Sequence, residues 1–234
     1  MANLAIIPAR GGSKRIPKKN IKIFLGKPII AYSIEAAIKS NLFSEVIVST
    51  DDESIAKIAI EYGAKVPFLR SDHNANDFAV LADVVEEVIN NYKELNKDFD
   101  TVCCILPTAP FVTSAKIIEA FNTLKNNKLD SVFPVLEFSF PIQRSLKINK
   151  EKVEMVWPEH LNTRSQDLEP RYHDSGQFYW ITINAFLNEK KLLTSNSGSI
   201  IISQLNAQDI DTETDWKLAE IKYKLMNNDQ ENNF

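Results

Sequence analysis

The sequence predicts an α/β fold in three layers, with helices on both faces of a mostly parallel central sheet. Three observations predict it. Short β-type runs alternate with helical patterns along most of the 234 residues, the order that builds parallel sheets. Several runs (IIP, VIVST, VCCIL) are apolar throughout, as strands covered on both sides are. Hydrophobic residues make up 44% and charged residues 25%, a globular balance. The length suits one domain, residues 1–234, carrying an insertion.

The β-type runs are Leu4–Pro8, Glu45–Thr50, Lys65–Leu69, Thr101–Leu106, Ser131–Glu137, Gln177–Ile183 and Ser199–Ser203. Pro28–Ser40, Val80–Leu95 and Ala115–Asn126 place apolar residues at the 3.6 period of a helix. Asp52–Tyr62 follows Thr50-Asp51-Asp52-Glu53, which resembles a capping box, and Asp51 reads as a cap for that helix. Thr212-Glu213-Thr214-Asp215 opens a last helix to about Met226, and the polar ending Asn227–Phe234 is expected to fray. The alternation breaks at about residues 138–175, where prolines and charges replace any long helical pattern. That stretch reads as an inserted lobe.

No apolar run approaches the roughly 18 residues of a membrane helix. Nothing basic precedes the short apolar start and Arg10 interrupts it, so no signal peptide is expected. Cys103 and Cys104 are adjacent in a strand run, so they face opposite sides and suit no structural disulfide. A reducing cytoplasm is the expected location.

The net charge of −4 conceals an uneven distribution. Residues 1–34 hold seven basic residues and no acid, leaving the rest at −11. Nucleic-acid binding needs an extended basic surface, which an acidic body does not offer. A basic loop on an acidic body suits a compact polyanion. That loop, Ile7-Pro8-Ala9-Arg10-Gly11-Gly12-Ser13-Lys14-Arg15-Ile16-Pro17-Lys18-Lys19-Asn20, follows the first strand, where open α/β sheets bind ligands. Its glycines permit close approach, Arg10 offers bidentate contacts, and Lys14 and Lys19 act as point charges on phosphates. Neither G-x-x-x-x-G-K-[ST] nor G-x-G-x-x-G is present. The plain alternative is a solvated basic turn.

The segment PARGGSKRIPKKN resembles the signature of the acylneuraminate-type cytidylyltransferases. The resemblance continues through Gly26–Ile34, Val48–Asp52, Val66–Arg70, Pro107-Thr108-Ala109-Pro110 and Gln208–Thr212. It implies a Rossmann-like nucleotidyltransferase fold with a lobe that forms a homodimer. It also implies a reaction in which CTP and a nine-carbon acidic sugar give the CMP-sugar and pyrophosphate, without nucleic-acid or membrane partners. Arg10, Gly12, Ser13, Lys14, Lys19 and Asn20 match the family's triphosphate loop, with Arg10 and Lys19 stabilising the departing pyrophosphate.

Asp209 and Asp211 flank Ile210 before the last helix. Residues i and i+2 of an extended segment face the same way, and two carboxylates suit a hard cation. The resemblance assigns the pair to metal, Mg²⁺, and to catalysis. The alternative is helix capping by Asp211. Arg70 and Asp77 match the region that binds cytidine, against a surface arginine and an Asx-turn as the plain readings.

For the sugar, Arg164 matches approximately a lobe arginine that reaches into the partner subunit's site, with Arg144 and Arg171 as runners-up. Gln143, His173, Asp174, Gln177 and Tyr179 offer hydrogen-bonding groups to hydroxyl and acetamido substituents. Phe178 and Trp180, alternating with them, read as core. The segments FPIQR, HLNTRSQD and YHDSGQFYW look most like the pseudaminic acid branch. Leu106 stands where the sialate branch commonly has a sugar-contacting glutamine, which favours a sugar with a less polar tail. The alternatives are N-acetylneuraminate, legionaminate or Kdo as substrate, or a catalytically silent nucleotide-binding subunit. Loss of the basic loop or the Asp pair would mark the latter, and both are intact.

Overall fold

The computed structural model describes residues 1–76 and 78–231. Asp77 and residues 232–234 lie outside it. Its elements run in the order β1 (Asn3–Pro8), β2 (Ile23–Phe24), β3 (Lys27–Pro28), α1 (Ile29–Lys39), β4 (Glu45–Ser49), α2 (Glu53–Glu61), α3 (Asp72–Ala75) and α4 (Leu81–Glu94). They continue with β5 (Thr101–Ile105), α5 (Ser114–Asn126), β6 (Ser131–Glu137), β7 (Leu146–Asn149), β8 (Lys152–Met155), β9 (Tyr172–Asp174), β10 (Phe178–Thr182), α6 (Ile183–Glu189), β11 (Ser197–Ile201) and α7 (Glu213–Glu231).

One seven-stranded sheet has the order β11-β6-β10-β5-β1-β4, with β9 also on β6. The pairs β1–β4, β1–β5 and β6–β11 are parallel; β10 runs antiparallel between β5 and β6. The expected mostly parallel α/β sheet is what the chain forms. Ile30 and Ile34 of α1 and Ile117 and Ala120 of α5 pack on one face with Cys103 and Trp180. Val85 and Val88 of α4 and Phe186 of α6 pack on the other with Cys104 and Tyr179. The adjacent cysteines are therefore free, buried and on opposite faces, and burial pushes both thiols up, Cys104 to about 12.

A third cluster joins α7 to the turn after the basic loop. Phe24 meets Tyr32, Trp216 and Tyr223 edge-on at 5.5–5.6 Å, the arrangement aromatic quadrupoles favour. It anchors the segment carrying Asp209 and Asp211 beside the segment carrying Lys19, since Ile16 and Ile210 are both buried in it.

Four sequence expectations change. Lys65–Leu69 forms only a bridge, Lys65 to Ile47; Pro67 has no N–H to continue a ladder. Helix α2 is capped by Asp52, whose Oδ1 accepts from the Ser54 and Ile55 amides, and not by Asp51. The last helix passes Met226 to Glu231. Residues 172–174, expected in the lobe, form strand β9 on β6. The rest of the lobe lies outside the main sheet, with the hairpin β7–β8 as its longest regular element.

Candidate active site at the carboxyl ends of the parallel strands

A cleft of about 280 Å³ opens beyond β1, β4 and β5. Its walls include Arg10, Ser13, Lys14 and Lys19 from the basic loop, Arg70, Asn74 and Asn76 from the crossover after β4, and Leu106 and Thr108 after β5. Five sequence-predicted residues of the loop, Arg10, Ser13, Lys14, Lys19 and Asn20, line one cavity with Arg70.

The loop is held by contacts distant in sequence. The buried Asn20 donates Nδ2 to the Arg10 carbonyl at 2.8 Å. The Gly11 amide donates to Asp51 Oδ1 at 2.9 Å, and the Arg10 guanidinium donates to the Asn76 carbonyl at 3.0 Å. The Ser13 amide donates to Gly11 O at 2.9 Å, so the hydroxyl is what Ser13 offers the cleft. Gly12 is exposed, with open space where a Cβ would sit. Lys18 takes a left-handed conformation, φ 52°, which turns Lys19 inward. Lys19 Nζ then donates to Ile210 O at 2.6 Å and lies 3.6 Å from Asp211 Oδ1.

Asp211 also receives Arg15 Nη2 at 2.9 Å. It does not cap α7: Thr212 and Asp215 do so reciprocally, Thr212 N donating to Asp215 Oδ2 at 2.7 Å and Asp215 N to Thr212 Oγ1 at 3.2 Å. Asp209 is open to solvent yet flanked by protein, and desolvation, with the Asp211 charge added, raises its pKa against the pull of Lys19. A cation placed between the two carboxylates would relieve both effects. The donor set, two carboxylates beside Lys19 of the cleft wall, fits a hard ion that keeps waters and phosphate oxygens as its other ligands. No cluster of three or more His, Cys, Asp or Glu occurs among the described residues.

Arg70 is buried at 7% exposure. Its Nε donates to Ser49 Oγ at 3.1 Å and its Nη2 to the Ser49 carbonyl. Burial lowers its pKa, while the charges of Asp51 and Glu87 oppose that. Sequence reading did not assign Asp51 to the loop, nor Asn74 and Asn76 to the wall. The only signal was an Asn-rich turn, and indeed Asn76 Oδ1 accepts from the Phe78 and Ala79 amides.

The residues expected at the sugar divide into two groups. Around the bulge between β9 and β10, Tyr179 donates its hydroxyl to Asp174 Oδ2 at 2.6 Å, and Gly176 N donates to Asp174 Oδ1 at 2.9 Å. Gly176, at φ +64°, lets the chain pass Asp209, whose carboxyl carbon would lie 3.9 Å from a Cβ added there. Gln177 donates to Asn206 O at 2.6 Å and keeps a buried, unpaired Oε1, while Ser175 Oγ is likewise unpaired. His173 is exposed beside Phe138, with Nδ1 2.9 Å from Asp174 O. Phe178 and Trp180 are core, as expected. The second group stays in the lobe. Gln143 donates to Glu169 O at 2.8 Å, and Arg164 forms a bidentate pair with Asp167 at 2.6 and 3.1 Å. None of the six residues expected at the sugar lines the 280 Å³ cleft; the first group lies beside Asp209 through Gly176.

Comparison with known proteins gives a consistent picture. The chain is 43% identical over 226 residues to a pseudaminic acid cytidylyltransferase of Campylobacter jejuni, covering 96% of this chain and 97% of that protein. It is 35% identical to a CMP-N,N'-diacetyllegionaminic acid synthase of Legionella pneumophila, covering 99% of each. In structure it resembles CMP:2-keto-3-deoxy-manno-octonic acid synthetase complexed with CTP, at a TM-score of 0.70 and 18% identity, over 97% of this chain and 100% of that one. The cytidylyltransferase family matches residues 4–211. The matched region runs from the first strand to the second of the paired aspartates, so both sides of the cleft fall inside it: this chain belongs to the cytidylyltransferase family.

Proposed function

We propose that the chain transfers CMP from CTP to pseudaminic acid. The observation that carries this reading is the end-to-end 43% identity to a pseudaminic acid cytidylyltransferase, in a chain whose basic loop meets the aspartate pair through Arg15 and Lys19. The anomeric hydroxyl oxygen attacks the α-phosphorus, the bond from the α-phosphorus to the oxygen bridging to the β-phosphate breaks, pyrophosphate leaves with that oxygen, and the hydroxyl proton passes to water. Arg10, Lys14 and Lys19, with Gly12 and Ser13, neutralise the triphosphate and the charge that develops on pyrophosphate. Asn20 serves by fixing the Arg10 carbonyl. Arg70, with Asp77, reads the cytosine.

Asp209 and Asp211 would hold Mg²⁺, which would supply Lewis acidity for phosphoryl transfer. Lys19 ties that segment to the phosphate loop. His173, Asp174, Gln177 and Tyr179 orient the sugar, and Leu106 meets its less polar tail. Gln143 and Arg164 belong to a lobe that packs on a second copy of the chain, Arg164 reaching the partner's sugar carboxylate. Support for the homodimer comes from the lobe's uncovered apolar side chains, Phe140, Leu146, Ile148, Val153 and Leu161. The free buried cysteines suit the cytoplasm.

The test is pyrophosphate release from CTP with a panel of nonulosonic acids. Pseudaminic acid is expected to give the highest kcat/KM. A preference for N-acetylneuraminic, legionaminic or Kdo-type acids would overturn the sugar assignment, and no release with any acid would overturn the activity.

A further inference from the structure

We propose that Asp51 is a positioning residue for the phosphate loop, fixing its root by accepting the Gly11 amide. The inference rests on the reading of that loop as the triphosphate site. Two adjacent acids follow β4 and divide their work. Asp52 caps α2 through Oδ1. Asp51 turns the other way and reaches back across 40 residues of sequence to Gly11.

The root of the loop is held from both sides. Asn20 grips the carbonyl of Arg10 and Asp51 grips the next amide, that of Gly11. Just before them, Ala9 N donates to Ser49 O at 2.9 Å. The Arg10 carbonyl and the Gly11 amide are the two ends of one peptide unit, so these bonds fix its plane from both edges, and with it the direction in which Gly12, Ser13 and Lys14 leave the strand. Gly11 also sits too close to its support for a side chain. An added Cβ would meet Asp52 Oδ2 at 2.8 Å and Asp52 Cβ at 3.0 Å.

The same support carries the other end of the cleft. Arg70 donates its amide to Thr50 O at 2.8 Å and its guanidinium to the Ser49 hydroxyl and carbonyl. Ser49-Thr50-Asp51 is thus one three-residue shelf that bears both the buried arginine and the loop root. Asp51 is the member whose side chain, and not only its backbone, reaches the loop.

The experiment compares Asp51→Asn, which retains an acceptor oxygen, with Asp51→Ala, which has none. Thr113→Ala, which removes the side-chain cap of α5, serves as the control for stability alone. KM for CTP, KM for the sugar, kcat and calorimetric Kd for CTP are measured on each. Asp51→Ala is expected to raise KM and Kd for CTP roughly tenfold, the size of one lost hydrogen bond to a charged group. The sugar KM should stay near wild type. Asp51→Asn should restore CTP affinity to within about threefold, and Thr113→Ala should move only Tm.

If Asp51→Ala does not fold, Gly11→Ala tests the same root and should show the same split between CTP and sugar. CTP affinity unchanged in Asp51→Ala and Gly11→Ala, or lost equally in Asp51→Asn and Asp51→Ala, overturns the proposal. Absence of CTP binding by the wild type overturns the triphosphate reading instead.

Discussion

The cleft and the lobe are built on opposite principles. In the cleft, polar groups find partners far along the chain: Gly11 with Asp51, Arg10 with Asn76, and Lys19 with Ile210, 191 residues away. In the lobe, Arg164 pairs with Asp167 three residues on, Arg144 with Ser165 and Arg171 with Glu169. Apolar side chains differ in the same sense. Those beneath the cleft are fully buried, whereas Phe140 is 83% and Ile148 78% exposed. Cleft geometry is therefore a property of the whole folded chain and is set before a ligand arrives. The lobe holds its local shape but leaves its apolar surface for something else to cover.

Breaking the cleft should have the largest effect. Asp209→Asn and Asp211→Asn are each expected to lower kcat by about a hundredfold or more, several kcal/mol of lost charge stabilisation, while Tm stays within a few degrees because neither residue caps α7. Steady-state pyrophosphate release and calorimetry read the two effects separately. Removal of divalent ions with EDTA should abolish turnover of the wild type in the same assay.

Breaking the lobe should alter assembly first. Phe140→Asp combined with Ile148→Asp is expected to give a monomer by light scattering at micromolar concentration, since stable dimers bury about 1,200 Å² or more. The cleft should still bind CTP in that variant. Sugar turnover should fall if Arg164 acts across the interface, and Arg164→Ala in the dimer measures that contribution by itself.

A smaller effect sharpens the role of the cleft wall. Leu106→Gln is expected to narrow the preference for pseudaminic over N-acetylneuraminic acid by roughly tenfold to a hundredfold, as a buried polar partner is supplied to the second sugar. The ratio of kcat/KM for the two sugars checks it.

The smallest effect concerns stability alone. Asp52→Ala should cost about 0.5–2 kcal/mol as a lost N-cap. The bond from the Ser54 hydroxyl and the Ile55 and Ser54 amides hold the Asp52 pKa below its ordinary value, against some desolvation. Its folded pKa being depressed, the stabilisation is present above the unfolded carboxylate pKa and is lost as pH falls through the folded one. Asp52→Asn should keep most of the cap and remove this acid-side dependence, which urea unfolding between about pH 3 and 7 reads, the range that brackets an ordinary carboxylate.

Strands and helices of the sheet were largely legible because their apolar runs and 3.6-residue periods are local signals. Lys65–Leu69 misled because its apolar content reads as a strand while Pro67 prevents one. The antiparallel course of β10 has no local signal, since pairing direction is decided by where the lobe returns. In the site, the basic loop and the Asp209/Asp211 pair stood out as charge against their surroundings. Asp51 did not, because an acid after a strand and before a helix looks like any cap, and only the folded chain shows that its neighbour Asp52 performs that task. Gln143 and Arg164 carry the right chemistry for a sugar acid, but sequence cannot reveal that one chain keeps them away from its own cleft.

The lobe's attachment makes it separable from the sheet. The chain leaves β6 at Glu137 and returns at Tyr172, and Phe138 N donates to Arg171 O at 2.9 Å. To the sheet, the whole excursion is the loop of a β-hairpin, closed at its neck by a single ladder. Loops closed in this way tolerate changes of length and content, because the strands they join keep their register. The lobe is thus an exchangeable cassette. Its replacement by the corresponding segment of a relative is expected to leave β6, β9 and the phosphate loop in place, because the exchange ends at the neck of the hairpin.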